Sequence, residues 1–362
     1  MKWKLLIMFS LIFFTQNYAK KEKTSISRIK PAFVYSDFFG TTTWTESQIN
    51  AHRGLEYSLF SKNGTIADGL QSELEAESVI GQLAEINHDI IFVDSPELFK
   101  AMFDVAKKYP RAVFMGYGAT NLKINVGSYW IKVFQAKYLA GMVAASKSKS
   151  KKIGYISSIP SSQVYREVNA FVLGAQKIDP NISILHIWTK KSRDNNLEKK
   201  AVKTLIEMDC DVITQSLDSP VLQEVADNNG VYTIGHNIQM IDYAPKYHLA
   251  DIVLNWEVIY NDIIKQVAIG KWESKNIWYG IAEEAVNLNY SYANLSKKTE
   301  SLIKETKTKL QKNEIKVFSG EIKNIVGEVV VKEGFYLVDA SLLKMNWFVF
   351  GVKHIDILKI GS

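Results

Sequence analysis

The sequence predicts an α/β protein made of two successive units, each a mostly parallel sheet covered by helices on both faces. Three observations predict it. Between Pro31 and Val267 the apolar spacing switches repeatedly between helical and continuous-strand patterns, the alternation that builds βαβ units. The strand candidates are short apolar runs with no polar face, as in sheets buried on both sides. Finally, 362 residues, 47% of them hydrophobic, supply enough apolar material for two cores.

The chain opens with MKWKLLIMFSLIFFTQNYA, in which Lys2 and Lys4 precede an apolar run from Leu5 to Phe14 and a polar region ending at Ala19. This is the layout of a secretory signal peptide over residues 1–19, and the run is too short to anchor in a bilayer. A periplasmic or otherwise extracytoplasmic location is expected. No cysteine follows the run to carry a lipid.

After the charged leader Lys20 to Lys30, PAFVYSDF reads as a strand whose polar end includes Asp37, and a Thr-rich loop with Trp44 follows. Helices through Ile49, Leu55 and Leu59 and through Val79, Ile80, Leu83 and Ile86 come next. The strand Ile90 to Val93, the helix Leu98 to Tyr109 and the strand Ala112 to Met115 complete a first round. A helix from Tyr129 to Ser146 leads into a second: strand Ile153 to Ile156, helix Val164 to Ile178, strand Ile184 to Trp188, helix Leu197 to Met208.

The stretch DCDVITQSLDSPVLQEVADNNGVYTIGHN, from Asp209 to Asn237, then reads as strand (Val212 to Thr214), polar loop (Gln215 to Ser219), helix opened by Pro220, a Gly-containing stop, and strand (Val231 to Ile234). In open parallel sheets, ligands bind beyond the carboxyl ends of the strands. Gln215, Ser216, Asp218 and His236 fall at such ends. Asp218 and Ser219 read equally well as helix N-caps before Pro220. A strand Ile252 to Leu254 and a helix through Ile259, Ile263 and Val267 follow. The tail differs: a charged helix Ser296 to Asn313, β-type runs Val329 to Val331 and Phe335 to Val338, and an apolar segment Met345 to Val352.

Several function classes are disfavoured. A formal net charge of +6 is mild for this length, and the basic residues are scattered rather than gathered with aromatics, so nucleic acid is not the expected partner. Six histidines show no spacing that suits a metal with one another or with the lone Cys210. There is no phosphate loop, dinucleotide fingerprint or Gly-x-Ser-x-Gly elbow, and nothing beside Ser157 and Ser158 would activate them. Hydrogen-bonding groups and aromatics at strand ends suit reversible binding, so no catalysis, cofactor or metal is expected.

The segments VFQAKYLAGMVAASKSKSKKIGYISSIP, NAFVLGAQKIDPNISILHIW, YAPKYHLADIVLNW and LLKMNWFVFGVK, together with the Asp209 stretch, resemble the basic membrane protein family of ABC-transporter solute-binding proteins, in its Trp-rich purine-binding branch. The resemblance runs from Pro31 to Val352. It implies a type I periplasmic-binding-protein fold: two Rossmann-like lobes joined by crossing segments, with a purine base or nucleoside held in the cleft and delivered to an ABC permease. The expected partition is an N-terminal lobe of 31–126 plus 251–275, a C-terminal lobe of 127–250 plus 276–318, and a C-terminal extension, 319–362, packing on the lobes. A monomer is expected.

By the same resemblance, Asp218, Asp194, Asn169, Tyr129, Gln135 and Trp256 keep the family's residue types, and Trp44 takes the part of the Trp that stacks on the base. Asp37 and the strand-end His236 and Ser95 complete the expected ligand set, with Arg193 as a planar partner for the other ring face. Departures are concentrated in loops. Ser95, Pro96 and Glu97 replace a Ser-Phe-Gly loop, Ser192 and Arg193 replace Trp-Phe, Gln163 replaces an acidic residue, and Gly235, His236, Asn237 replace Gly-Tyr-Asp. The altered loops keep two alternatives open, a sensory binding protein for a different solute and an exported nucleoside hydrolase.

Overall fold

Short apolar runs bounded by turns become the strands of two mostly parallel sheets in a computed structural model of the chain. The structure describes residues 28–57 and 64–357, and the signal-peptide expectation lies outside them. The chain divides into two compact units, the first from residues up to Thr41, Gln48–Trp130 and Trp256–Trp278, the second from Thr42–Ser47, Ile131–Asn255 and Tyr279 onward.

In the first unit, β1 (Pro31–Val34), β2 (Thr65–Ala67), β3 (Ile90–Val93), β4 (Val113–Tyr117) and β5 (Val126–Ile131) lie in the order β2-β1-β3-β4-β5, and β11 (Asn276–Tyr279) adds an edge beside β5. The first five pair in parallel. Alternate residues point to opposite faces. Ala32, Val34, Ile91 and Val93 pack against Ala76, Ile80 and Leu83 of α2 (Glu73–Glu85) and Ala101, Met102 and Val105 of α3 (Phe99–Lys108). On the other face, Phe33 and Phe92 meet His52 of α1 (Thr43–Tyr57) and Tyr260 of α8 (Trp256–Ala268).

The second unit repeats the plan. Strands β6 (Lys152–Ser157), β7 (Ser183–Trp188), β8 (Val212–Ser216), β9 (Tyr232–Gly235) and β10 (His248–Leu254) lie in the order β7-β6-β8-β9-β10, flanked by β12 (Val286–Asn289) and β15 (Val352–Ile355), while β13 (Ile322–Lys323) and β14 (Val329–Val331) pair only with each other. All neighbours run parallel except β10 with β12. One face packs on α6 (Asn195–Glu207) and α7 (Val221–Asn228), through Ile156, Ile187 and Ile213 against Val202, Leu205 and Leu222. The other carries Tyr155 against Phe171 of α5 (Ser162–Ile178), whose neighbour is α4 (Val133–Lys147).

Helices α4 and α5 cross in close contact because each carries a glycine there. A Cβ on Gly141 would stand 2.0 Å from the Phe171 carbonyl oxygen, and one on Gly174 would stand 1.8 Å from that of Tyr138. Both clashes are with backbone, so no side-chain rotation relieves them. The crossing brings the first turns of two helices to the carboxyl ends of β6, β8 and β9.

Four readings need correction. Residues 126–131 are a fully buried strand, not the start of a helix at Tyr129. The apolar helical spacing belongs only to residues after Lys132. The strand containing Ile252, expected with the first lobe, pairs with β9 and β12 in the second sheet, so the chain returns to the first unit only at Trp256. Phe335 to Val338 is irregular apart from a bridge between Ser319 and Tyr336. Part of the C-terminal extension is a strand of the second sheet itself, β15 against β7.

Replacing Gly174 by Ala should destabilise the protein by about 3 kcal/mol through overpacking. Replacing Gly81, where an added Cβ meets nothing within 4 Å, should instead stabilise by roughly 0.5 to 1 kcal/mol. Urea unfolding of the two variants beside the parent measures both.

Candidate ligand-binding site

Each sheet has its strand order reversed beside its first strand, between β1 and β3 and between β6 and β8. At such a point the loops leave in opposite directions and open a crevice at the carboxyl ends.

In the first unit, the Asp94 carboxylate at the end of β3 accepts from the Ser36 amide at the end of β1, at 3.1 Å. Beside it, the Tyr35 hydroxyl donates to His52 Nε2 at 2.6 Å, and the Tyr260 hydroxyl donates to Gln48 Oε1 at 2.5 Å. Burial lowers the His52 pKa to about 4, so the ring is the neutral acceptor that the Tyr35 hydroxyl requires. Burial also raises the Tyr35 phenol well above its ordinary value. Tyr129 and Trp256 continue this aromatic cluster.

In the second unit two groups of polar residues form. The first joins the start of α1 to the loops after β8 and β9. Thr42 and Thr45 cap α1 reciprocally, each hydroxyl accepting the other's backbone N–H. The Thr43 amide donates to the Asp218 carbonyl at 3.2 Å. The Asn237 side-chain amide donates to Asp218 Oδ1 at 2.9 Å and to Thr43 Oγ1 at 3.2 Å. Asn237 holds a φ of 71°, a left-handed conformation that Asn tolerates better than most residues. Half-buried Trp44 follows Thr43 in the first turn of α1. Ser219, not Asp218, accepts from the first amide of α7, through its hydroxyl to Val221 N at 3.2 Å.

The second group is buried under the sheet. The Ser216 hydroxyl donates to Glu167 Oε2 at 2.5 Å, lies 2.7 Å from the Tyr155 hydroxyl, and ends β8. Gln163 donates to the other carboxylate oxygen of Glu167 at 3.1 Å. Lys137, fully buried in the first turns of α4, donates to the Gln215 carbonyl. Burial lowers its pKa to about 8, with the Glu167 carboxylate acting in the opposite direction. His236 Nε2 lies 3.9 Å from Glu167 Oε2. Burial, and secondarily Lys137, hold the His236 pKa well below its ordinary value, so the ring is neutral.

The nine expected ligand residues therefore divide. Asp218 and His236 lie on the loops after β8 and β9, and Trp44 follows Thr43, which is bonded to the Asp218 carbonyl and to Asn237. Asp37 is exposed, and the Ser95 hydroxyl is bonded to Glu97. Arg193 is exposed on the loop before α6. Asp194 caps α6, accepting from the Leu197 amide at 3.0 Å, as the helix start requires. Trp256, 1% exposed, is packed among Tyr117, Tyr129 and Tyr260 in the first core.

Asn169 is engaged by the tail. Its amide donates to the Trp347 carbonyl at 2.8 Å, and its oxygen accepts from the Val349 amide at 3.0 Å. Arg166 and Gln176 on the same helix bond the Leu342 and Phe350 carbonyls. The residues missed in the sequence, Lys137, Glu167, Tyr155, His52 and Asp94, share one signal: a polar side chain at an inward position of an apolar helix or strand.

Among the described residues no cluster of His, Cys, Asp and Glu could hold a metal ion. None of their helices is long and apolar enough to cross a membrane.

Two doubly wound units, with polar and aromatic side chains at the carboxyl ends of their strands, define the periplasmic-binding-protein class. Solved structures agree on the fold. A solute-binding protein of an ABC transporter system from Conexibacter woesei superposes with a TM-score of 0.67 at 19% identity, covering 80% of this chain and 98% of that one. A transcriptional activator of the comK gene from Bacillus halodurans gives 0.68 at 21%, covering 79% and 99%.

Within that class, the family model described as ABC transporter substrate-binding protein PnrA-like, Bmp, matches residues 29–323. The chain belongs to this family. It is 32% identical over 326 residues to a purine-binding protein of Brucella abortus, covering 90% of this chain and 93% of that one. It is also 27% identical over 274 residues to a putative ABC transporter glucose-binding protein of Haloferax volcanii, covering 75% and 69%.

Two outcomes test the local chemistry. Asn169→Ala removes the bonds to residues 347 and 349 and should cost about 2 kcal/mol, with faster amide exchange confined to the tail segment and β15. Because the folded ring of His52 binds a proton only near pH 4 while the unfolded ring does so near 6.5, its contribution is complete above pH 6.5. Stability should fall as pH drops from 6.5 towards 4, by up to about 3 kcal/mol, and His52→Gln should remove that part of the slope in denaturant titrations.

Proposed function

We propose that this protein is the extracytoplasmic solute-binding component of an ABC importer, that it binds a purine base or nucleoside reversibly as a monomer, and that it hands this ligand to a membrane permease. The observation that carries the reading is the hydrogen-bonded assembly of Asp218, Asn237 and Thr43, the residue before Trp44, at the carboxyl ends of one sheet. A purine needs a flat apolar partner for its ring and in-plane partners for its edge. Trp44 offers the first, and the Asp218 carboxylate accepts from an exocyclic amine, a ring N–H or a ribose hydroxyl. The similarity to the Brucella purine-binding protein over nine-tenths of the chain supports the same class.

A second reading has one observation in its favour. Ser192 and Arg193 stand on an exposed loop where the resemblance implies an aromatic pair, and a relative is named for glucose. On this reading the pocket serves a solute of another class.

Thermal unfolding with adenine, guanine, hypoxanthine, their nucleosides and glucose separates the two. At a hundredfold excess over Kd a ligand adds about 2.7 kcal/mol of stability, so a purine should raise the melting temperature and glucose should leave it unchanged. Trp44→Ala should weaken purine affinity by about 1 to 3 kcal/mol, the value of one stacked base. A shift with glucose alone transfers the assignment to the second reading.

A further inference from the structure

The second buried group contains an acceptor that the protein leaves unmet. His236 is 6% exposed and follows the last residue of β9. Its Nε2 faces the Glu167 carboxylate, whose Oε2 is already bonded to Ser216. A neutral imidazole beside a carboxylate places its one proton on the nitrogen nearer that charge. Nδ1 is then a bare lone pair, and it has no hydrogen-bond partner among the protein groups.

The other groups around it are directed elsewhere. None of them donates to Nδ1: the Ser216 hydroxyl is spent on Glu167 and lies against the Tyr155 hydroxyl, and the Lys137 ammonium is directed at the Gln215 carbonyl. Asn237, the next residue, spends its amide protons on Asp218 and Thr43. A buried acceptor left unmade is costly, and a bound molecule with an N–H at that point removes the cost.

We propose that His236 Nδ1 accepts a hydrogen bond from the exocyclic amine of the ligand, and thereby makes this protein selective for amino-substituted purines over those that lack the amine. The inference rests on the purine reading above and adds to it the edge group that is read. Glu167 acts as a positioning residue, holding the imidazole in the tautomer that presents Nδ1 as an acceptor. Lys137 compensates the Glu167 charge within the protein, so the site as a whole accepts a neutral base.

The test is a thermodynamic cycle on the full chain. Calorimetric affinities for adenine and for unsubstituted purine, which lacks the 6-amine, and for guanine and hypoxanthine, which differ by the 2-amine, are compared between the parent and His236→Phe. The parent should prefer the amine-bearing partner of at least one pair by tenfold or more, and His236→Phe should reduce that preference to within about threefold. His236→Asn, which keeps an acceptor oxygen, should retain part of it.

Nitrogen-15 spectra of the parent's histidines give a readout that does not depend on a variant folding. The free protein should show the Nε2–H tautomer, and the amine-bearing base should shift the Nδ1 resonance where its amine-free partner does not. A preference that survives intact in His236→Phe, or an Nδ1 resonance indifferent to the amine, overturns the role of His236 while leaving purine binding in place. Failure of every purine to bind removes both readings together.

Discussion

A parallel sheet whose order reverses next to its first strand sends neighbouring loops in opposite directions, and everything distinctive about this protein collects where that happens. In both units the order is the same, with the later strands on one side of the first and the second strand on the other. The backbone there has finished its ladder bonds but is followed by helix starts, so amides and carbonyls are in supply and side chains set what is recognised. The two glycines at the crossing of α4 and α5 are part of the same constraint. They let two helices approach closely enough for Lys137 and Glu167 to reach the ends of β8 and β9.

The two ends are chemically unlike. The first sheet ends in phenols, a neutral imidazole and one carboxylate, a largely apolar lining with few fixed charges. The second ends in a buried carboxylate and ammonium held with a hydroxyl, an amide and a histidine. Burying opposite charges together adds little net stability, and breaking one partner out is costly. Such a network is better understood as fixing geometry than as holding the fold together. The stability resides in the apolar layers between sheet and helices.

Much of the fold was legible. The strand Ile90–Val93 begins and ends where its apolar residues do, because a short uninterrupted run bounded by turn residues has few other ways to bury itself. Residues 129–131 read as helix in the sequence because the helical spacing after Lys132 extends backward through them, and only pairing with β4 decides otherwise. The polar groups of the candidate site were legible where they stand on loops and hidden where they stand on helices. Asp218 and His236 stand at strand ends that a sequence displays, but Glu167 meets Ser216 across 49 residues and Lys137 meets Gln215 across 78. Asn169 and Asp194 kept residue types that the resemblance tied to ligand, while local geometry turned them to the tail and to a helix start.

The last strand also decides where this chain can be shortened. The family match stops at residue 323, a natural place to cut for a minimal domain. A fragment ended there would strip β15 from β7, opening the flank of a parallel sheet rich in Ile and Leu to whatever chain came near. It would also strand Arg166, Asn169 and Gln176 without the carbonyls they hold. Self-association, not a smaller working receptor, is what such trimming would yield.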